Sequence, residues 1–300
     1  MKANSVAAVI PTYNRAGVLK RAIDSILCQS HPVAEIVVVD DGSTDGTAQV
    51  VAKYANRINY IFQKNSGGAA ARNRGAESAQ CEWLAFLDSD DQWLPHKIEA
   101  QLAALKSQRA EICCGPYWIH HLDGSRELAT PVIPVLPAIR LRNLFPPSVA
   151  MVSRRAFLDH GGFREDLRSS CEDWELFCRM AQDCACIAAA TPLLNYYESE
   201  SSISMNPQIM LPATLSIVDS LLSGLRGPSR MIWRRKILAA IYYRSSVSFR
   251  HWYGSGLHYL LLSLLHWPVP DIRMKTLAVE IVDLLREPRS LGRRLSGATE

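Results

Sequence analysis

Two short apolar runs in the first third of the chain each end in a cluster of carboxylates. Ile36 to Val39 precedes Asp40-Asp41-Gly42-Ser43-Thr44-Asp45-Gly46, and Trp83 to Leu87 precedes Asp88-Ser89-Asp90-Asp91. Both runs predict buried strands, so both carboxylate sets should emerge at strand ends. Ligands of open α/β sheets bind outside the carboxyl ends of the strands, and oxygen ligands of this kind suit Mg²⁺ or Mn²⁺ bridging to phosphate. The pattern predicts a metal-assisted nucleotide site.

The segments around these clusters alternate between strand-like and helix-like periodicity. Strands are predicted at Val6 to Ile10, which Pro11 ends, and at Ile36 to Val39, Ile58 to Phe62 and Trp83 to Leu87. Helices are predicted over residues 18–27, from a Ser43 or Thr44 cap to about Ala55, from Ala69 to Ala79 and from Pro95 to Arg109. Strands that alternate with helices of this length imply crossover connections and a mainly parallel sheet.

The elements after this helix are less regular. A hairpin is predicted from Tyr117 to Leu122 and from Glu127 to Val135 around Asp123-Gly124, and then a strand from Ser148 to Ser153. Helices are predicted from Arg154 to His160, ended by Gly161-Gly162, and from Glu172 to Gln182. From about Pro212 the pattern is helical, with stops at Gly254, Pro268 and Pro270.

Charge is unevenly distributed along the 300 residues. Residues 226–300 carry 13 Lys and Arg against 5 Asp and Glu, so the overall charge of +4 hides a basic C-terminal region. A hydrophobic content of 48% excludes a disordered chain and fits one large domain, or a domain of about 200 residues with an appendage.

The sequence predicts neither export nor a membrane span. Met1 to Ala8 lacks a cationic leader and a long apolar stretch, and Leu257 to Leu265 is far short of the roughly 20 residues of a spanning helix. We expect a cytoplasmic protein, or one peripheral on the inner face of the cell membrane. The eight cysteines lack zinc-ribbon spacing, so we expect free thiols in a reducing compartment, with a metal site within Cys171 to Cys186 as the alternative.

Six motifs follow one another in an order that resembles glycosyltransferase family 2, over about residues 5–205. They are Val9-Ile10-Pro11-Thr12-Tyr13-Asn14, Val39-Asp40-Asp41-Gly42-Ser43-Thr44-Asp45-Gly46-Thr47, Asn65-Ser66-Gly67-Gly68 with Ala71-Arg72-Asn73-Arg74-Gly75, Asp88-Ser89-Asp90-Asp91, Gly161-Gly162-Phe163 and Glu172-Asp173-Trp174. Each is weak alone, and together they are a strong signal. The resemblance implies the GT-A fold, an α/β fold with a mainly parallel sheet flanked by helices, here with a C-terminal helical appendage.

The resemblance also implies a reaction. Enzymes of this family transfer a sugar, with inversion, from a nucleotide-diphosphate sugar, here expected to be UDP-linked. The acceptor is expected to be a hydroxyl of a glycan or lipid-linked molecule, as in polysaccharide or cell-surface glycan synthesis. Residues 1–208 would form the glycosyltransferase domain, with 1–110 binding the nucleotide and 111–208 the acceptor, and 209–300 would form a basic helical region.

By the same resemblance, a set of residues is matched to nucleotide contacts. They are Pro11, Thr12, Tyr13, Asn14, Arg15, Asp40, Gly67, Gly68, Arg72, Asp88 and Ser89. Tyr13 would supply a stacking face, Asp40 would accept a hydrogen bond from the base imide, and the glycines, with Arg72 or Arg74 near enough to add charge, would suit phosphates. The alternatives are structural: Tyr13 packs on the next helix, Asp40 caps a turn, and Gly67 and Gly68 form a turn.

Asp88-Ser89-Asp90 matches the D-x-D motif of the family, in which the first carboxylate lies near the ribose and the second holds a divalent cation. The resemblance therefore assigns Mn²⁺ or Mg²⁺ to Asp90, with Asp91 as a helper. A cation is needed because negative charge develops on the departing nucleoside diphosphate. The alternative for Asp91 is the cap of a helix that begins near Leu94.

Asp173 matches the catalytic base of the family, which takes the proton of the acceptor hydroxyl, and Glu172 would support it. The alternative is a structural N-cap. The chain departs from its relatives near Leu194 to Ser204, where they often carry a basic residue and a histidine and this chain has Tyr197-Glu198-Ser199. The cation would then rely on aspartate, diphosphate and water.

The same residues also bear on three other classes of function. A catalytically inactive scaffold that binds nucleotide sugar is the alternative to an enzyme, although intact Asp40, Asp90 and Asp173 favour turnover. A dinucleotide-dependent oxidoreductase is excluded because no G-x-G-x-x-G follows the first strand. Nucleic acid is not an expected partner, since the basic region has no reader motif.

The basic region interleaves cations with aromatic side chains. They are Arg234, Arg235, Lys236, Arg244 and Arg250 with Trp233, Tyr242, Tyr243, Trp252 and Tyr253. Such a surface can dock on an anionic leaflet and bring the site to a lipid-linked acceptor. The alternative is a helical cap with solvated cations.

Overall fold

The chain divides into two units in the computed structural model, which describes residues 4–54, 56–133, 136–168, 170–199, 206–253 and 256–267. The first unit consists of Met1–Met205 with Asp219–Gly224, and the second of Asn206–Val218 with Leu225–Glu300. Both β-sheets belong to the first unit.

The strands of the first unit are Val6–Thr12 (β1), Glu35–Asp40 (β2), Asn59–Phe62 (β3), Trp83–Phe86 (β4), Gln92–Trp93 (β5), Ile112–Cys114 (β6), Tyr117–His120 (β7), Arg126–Ala129 (β8), Met151–Ser153 (β9), Cys186–Ala188 (β10) and Leu194–Tyr197 (β11). Its helices are Ala16–Leu27 (α1), Thr47–Ala52 (α2), Gly68–Ser78 (α3), Lys97–Ser107 (α4), Arg154–Asp159 (α5) and Glu172–Met180 (α6), with 3-10 turns at Ala138–Arg140, Pro147–Val149 and Glu165–Leu167. The predicted alternation of strands and helices is confirmed.

The larger sheet has seven strands in the order β10-β6-β9-β4-β1-β2-β3. Strands β1 to β4 are parallel, as are β6 and β10, whereas β9 runs antiparallel to β4 and β6. The prediction of a mainly parallel sheet is therefore confirmed. Because β1, β2 and β4 point the same way, their carboxyl ends meet at one edge, where Thr12 lies opposite Asp40.

Pro11 does not end β1, contrary to the prediction, because its missing amide is not needed there. Thr12 O accepts a hydrogen bond from Asp41 N on the β2 side, and Val9 O accepts one from Leu87 N on the β4 side. Alternate residues of a strand bond to opposite neighbours, so Pro11 faces the β4 side, as Val9 does. The pairing of β1 with β4 ends at Val9, and Pro11 lies beyond it.

A second sheet of the first unit has the order β5-β11-β7-β8. The predicted hairpin around Asp123-Gly124 is confirmed by the antiparallel pairing of β7 with β8, although its second arm ends at Ala129. Strand β11 pairs with both β5 and β7. The two-residue strand β5 was not predicted from the sequence, because two residues carry no detectable periodicity.

Helix α3 packs on the larger sheet at close range through a glycine. A Cβ atom at Gly75 would lie 2.4 Å from Val9 Cγ1 and 3.3 Å from Val39 Cγ2. The helix approaches β1 and β2 this closely because no side chain stands between them. The approach holds α3 where Arg72 reaches Asp88 at the carboxyl edge of the sheet.

The second unit is helical, as predicted, but its first helix, α7 (Pro207–Ser216), begins before Pro212 and contains it. A short helix, α8 (Val218–Leu221), crosses the division between the units, and α9 (Gly227–Tyr253) and α10 (Leu257–His266) follow. Ser263 Oγ on α10 donates to Ala239 O on α9 at 2.7 Å. None of the described helices is both long and apolar enough to span a bilayer.

Some sequence predictions for the basic region fall beyond what the structure describes. The predicted stops at Gly254, Pro268 and Pro270 lie outside the described residues, and so do the side chains of Arg250, Trp252 and Tyr253.

Candidate active site

The loops after β1 and β2 are joined by hydrogen bonds at the carboxyl edge of the sheet. Asn14, with a left-handed φ of 51°, donates its N–H to Ser43 Oγ at 2.8 Å and accepts from Thr44 N through Oδ1 at 2.8 Å. Ser43 and Thr44 therefore do not cap α2, and that prediction is wrong. The helix begins at Thr47, whose N–H donates to Asp45 Oδ1 at 2.9 Å.

The joined loops leave two predicted nucleotide contacts in different surroundings. Tyr13 is 48% exposed, so its ring is open to a ligand rather than packed away under a helix. Thr12 is buried, and its Oγ1 has no hydrogen-bond partner among the described residues. A buried hydroxyl without a partner beside an exposed ring is consistent with a site that a ligand completes.

Asp40 is buried and accepts hydrogen bonds through both carboxylate oxygens. Oδ1 accepts from Ser43 N at 2.8 Å, and Oδ2 accepts from the Tyr60 hydroxyl at 2.7 Å. Asp40 therefore caps the turn, as the structural alternative predicted, and each of its oxygens keeps a further lone pair that can accept a hydrogen bond from a nucleotide base. Burial and the Asp40 charge raise the pKa of Tyr60, which stays a neutral donor. Tyr60 was not predicted from the sequence, because its partner Asp40 lies 20 residues away in the chain and no local motif indicates the contact.

Asp41 organises the glycine-rich loop before α3. Its Oδ1 accepts from Gln63 Nε2 and Ser66 N, and its Oδ2 accepts from Gly67 N, each at 2.8 Å. Gly67 has a φ of 98°, and a Cβ there would lie 2.8 Å from Arg168 Cβ. The Gly67 amide is thus used inside the protein, which favours the structural alternative for this glycine over a phosphate contact.

Arg72 lies buried between the second acidic cluster and the start of α6. Its Nη1 donates to Glu172 Oε1 at 2.8 Å, and its Nη2 donates to Asp88 Oδ1 at 2.5 Å. Burial alone would lower the pKa of Arg72, but the charges of Asp88 and Glu172 raise it above its ordinary value. Arg72 therefore bridges the two motifs. A phosphate contact by its remaining N–H groups stays a prediction.

The Asp88-Ser89-Asp90-Asp91 segment brings three carboxylates together. Asp90 Oδ2 lies 3.5 Å from Arg15 Nη2, and Asp91 Oδ1 accepts from Tyr197 N at 3.2 Å. Burial raises the pKa of Asp90 and of Asp91, and the charge of Asp88 raises both further. Asp91 does not cap the next helix, contrary to the alternative considered above, because β5 intervenes and α4 begins at Lys97.

This acidic segment fits a hard divalent cation. Asp91 Oδ2 is buried and has no hydrogen-bond partner among the described residues, so one carboxylate oxygen is left unsatisfied. The charge of Asp88 opposes ionisation of Asp90 and Asp91, and a cation would remove that penalty. Carboxylate oxygens are the ligands that Mg²⁺ and Mn²⁺ prefer.

Asp173 lies in the first turn of α6, with Cys171 as the residue before the helix. Its Oδ2 accepts from Asn143 Nδ2 at 2.7 Å, and its Oδ1 accepts from Trp174 N at 2.7 Å. Cys171, and neither Glu172 nor Asp173, occupies the N-cap position, so the N-cap alternative is wrong. Burial raises the pKa of Asp173, and the hydrogen bonds from Trp174 and Asn143 act against that rise.

Glu172 is more deeply buried than Asp173 and pairs with Arg72. Burial raises its pKa to about 7, against the opposing effect of the Arg72 guanidinium and with the Asp173 charge adding to the rise. Glu172 thus holds Arg72 in place, while Asp173 remains half-buried. Glu172 is therefore a supporting carboxylate, whereas Asp173 is exposed enough for a substrate to contact it.

Two tyrosines of the second sheet complete the site and were not singled out as contacts. The Tyr197 N–H donates to Asp91, and the Tyr197 ring lies 3.8 Å below the Arg21 guanidinium. Burial and the charges of Asp173 and Asp91 raise the pKa of Tyr117 to about 12.

Comparison with known families matches the chain to two related models. The model described as Glycosyl transferase family 2 matches residues 7–158, and the one described as Glycosyltransferase like family 2 matches residues 141–223. The first match spans more than half of the chain and contains the acidic segments after β2 and β4.

Sequence relatives carry glycosyltransferase names. A putative teichuronic acid biosynthesis glycosyltransferase, TuaG of Bacillus subtilis, is 38% identical over 124 residues, which are 40% of this chain and 49% of the relative. The glycosyltransferase GlyA of Streptococcus pneumoniae is 34% identical over 119 residues, 38% of this chain and 17% of the relative. The matches thus span about half or less of the length of these relatives.

Solved structures share the fold at low sequence identity. The S. aureus TarS fragment 1-349 in complex with UDP-GlcNAc superposes with a TM-score of 0.66 at 19% identity, covering 86% of this chain and 81% of that fragment. The mannosyltransferase PcManGT from Pyrobaculum calidifontis in complex with GDP-Man and Mn²⁺ superposes with a TM-score of 0.60 at 18% identity, covering 97% and 84%.

Proposed function

This chain belongs to glycosyl transferase family 2 and has a GT-A-type fold, and on that basis we propose that it transfers a sugar from a nucleotide-diphosphate sugar, with inversion, to an acceptor hydroxyl. The donor proposed is a UDP-sugar, and the acceptor a glycan or lipid-linked molecule of polysaccharide or cell-surface glycan synthesis. The TuaG likeness and the nucleotide-sugar complexes of the structural neighbours support this choice.

The bridge made by Arg72 is the observation that carries the proposal. Its contacts of 2.5 Å to Asp88 and 2.8 Å to Glu172 hold the donor-side motif and the acceptor-side motif against each other. Transfer requires the leaving group and the attacking oxygen to be held in one cleft at opposite faces of the anomeric carbon. The Arg72 bridge fixes the position of the donor-side motif relative to the acceptor-side motif.

The donor side of the site neutralises charge and orients the nucleotide. A Mn²⁺ or Mg²⁺ ion held by Asp90 and Asp91 would neutralise the charge that develops on the diphosphate. Tyr13 offers its exposed ring to the base, and Asp40, fixed by Ser43 and Tyr60, accepts from the base imide. Thr12, Asn14, Arg15 and Ser89 line the same edge of the sheet.

On the acceptor side, Asp173 takes the proton of the attacking hydroxyl. Asn143 and the Trp174 amide donate to the two carboxylate oxygens and fix the orientation of Asp173. Its raised pKa strengthens it as a base, while Glu172 keeps Arg72 in position. We assign residues 1–110 to the nucleotide and 111–208 to the acceptor.

Residues 209–300 are proposed to touch an anionic membrane at its cytoplasmic face. Met231 and Leu265 are 65% and 70% exposed, and Arg234 and Arg235 are exposed beside them on the same helical surface. Apolar side chains with adjacent cations suit insertion at a headgroup boundary. Binding to anionic vesicles that weakens with salt would support this role, and indifference to lipid charge would dismiss it.

Donor hydrolysis tests the enzymatic proposal without knowledge of the acceptor. We expect release of UDP from a UDP-sugar by the parent protein, stimulated by Mn²⁺, and loss of that release in Asp90→Asn. GDP- and dTDP-sugars should be poorer donors. Asp173→Asn should still bind UDP but fail to transfer to an added glycan. Tight UDP binding with no turnover of any donor would instead indicate an inactive nucleotide-sugar-binding scaffold.

A further inference from the structure

Three different metal-ligating side chains meet where α5 ends and where the chain turns after α6. The ligand atoms of His160, Asp183 and Cys184 all lie within 4.8 Å of one another. His160 Nε2 is 2.8 Å from Asp183 Oδ1 and 3.9 Å from Cys184 Sγ. None of the three belongs to the motifs assigned to nucleotide or acceptor, so the cluster has no part in the transfer reaction proposed above.

The two ring nitrogens of His160 both face acceptors. Nδ1 lies 2.7 Å from Ala156 O, and Nε2 lies 2.8 Å from the Asp183 carboxylate. A neutral imidazole carries one N–H and can donate on one side only. If Nδ1 donates to Ala156 O, Nε2 presents its lone pair to the space shared with the Asp183 carboxylate and Cys184 Sγ, where a cation can bind.

We propose that His160 Nε2, an Asp183 carboxylate oxygen and the Cys184 thiolate bind one divalent metal ion of the zinc class. The mixture of imidazole, carboxylate and thiolate is typical of zinc and unlike the all-oxygen acidic segment after β4. The bond from His160 Nδ1 to Ala156 O would orient the imidazole, as outer hydrogen bonds do at zinc sites. Binding displaces the thiol proton to solvent.

The cluster is accessible and already held in place without the ion. The Asp183 side chain is 72% exposed, so the fourth coordination position can be filled by water. Arg179 on α6 donates to Gly162 O at 2.8 Å and also to His160 O, which fixes the end of α5 against α6. A bound ion would add a second tie between these helices, and α6 carries Asp173.

Co²⁺ is the probe for this site, because a bound thiolate gives a near-ultraviolet charge-transfer band that oxygen ligands do not give. Reduced parent protein should show this band, saturating at one Co²⁺ per chain. Cys184→Ser should lose it, and Asp183→Asn should weaken binding at least about tenfold. Cys28→Ser, at an exposed free cysteine elsewhere, is the matched control and should keep the band.

Zn²⁺ gives the second measurement. It should displace Co²⁺ from the parent and raise its melting temperature, and it should not raise that of Cys184→Ser. Circular dichroism establishes that each variant is folded, and the exposed Asp183→Asn provides the test if Cys184→Ser is not. Absence of the thiolate band in the parent, or a band of full strength in Cys184→Ser or Asp183→Asn, would overturn the proposal.

Discussion

Arg72 and Glu172 are 100 residues apart in the chain, and their side chains form a buried ion pair of 2.8 Å. Arg72 stands on the helix that follows the glycine loop, and Glu172 begins the helix that carries Asp173. The pair fixes the distance between the two halves of the site. Its second partner, Asp88, extends the same contact to the acidic segment after β4.

Arg72→Met is expected to lower the free energy of unfolding by about 3–5 kcal/mol, because it leaves Glu172 and Asp88 without a compensating charge. Denaturation by urea, followed by circular dichroism, measures the loss. Arg74→Met on the exposed face of the same helix is the control and should change stability by no more than about 0.5 kcal/mol. Equal losses in both variants would contradict a buried bridge.

Asn143→Ala is expected to shift the acidic limb of the rate profile to higher pH. The base must be ionised to act, and Asn143 lowers the pKa of Asp173 by donating to its carboxylate. Removing the donor raises that pKa, so activity should be lost earlier as the pH falls. The dependence of kcat/KM on pH measures the shift. A uniform loss at every pH would indicate a purely structural role for Asn143.

Gly75→Ala is expected to destabilise the first unit by about 1–3 kcal/mol, since its new methyl group would lie 2.4 Å from Val9 Cγ1. Gly17→Ala in α1 is the matched control. No atom lies within 4 Å of a Cβ at Gly17, and a helical alanine there should be neutral or stabilising. Thermal melting of both variants tests the pair, and an unchanged Gly75→Ala would refute the close packing of α3.

Lys97→Met is expected to flatten the dependence of stability on pH. Lys97 is fully buried, donates to Gln101 and has its pKa lowered by burial to about 7. Between that value and its ordinary pKa near 10.5, the unfolded chain binds more protons, so the free energy of unfolding rises with pH. Lys97→Met lacks this titrating group, so its free energy of unfolding should rise less with pH over this range.

Urea denaturation at several pH values between 7 and 10 measures how steeply the free energy of unfolding rises with pH in the parent and in Lys97→Met. Lys106→Met, on the exposed face of the same helix, should keep the slope of the parent. A parent slope that persists in Lys97→Met would show that another group is responsible.

The sequence by itself determined the alternating elements and the position of the acidic motifs. Periodicity and strand ends are local properties, so the sequence alone places Asp40 and Asp88 at the edge of a parallel sheet. The resemblance to the family added roles for Asp90 and Asp173. The proline in β1 and the cap of α2 were predicted wrongly because neighbouring strands and loops decided them.

Only the tertiary structure decided which partners the charged groups have. Arg72 was expected to face phosphate, and its buried position instead places it between Asp88 and Glu172. Tyr60 reaches Asp40, and the Tyr197 amide holds Asp91 across 106 residues of chain. A buried charge or donor must be satisfied by whatever the fold brings within about 3 Å, and that neighbour is set by packing between distant segments rather than by the local sequence.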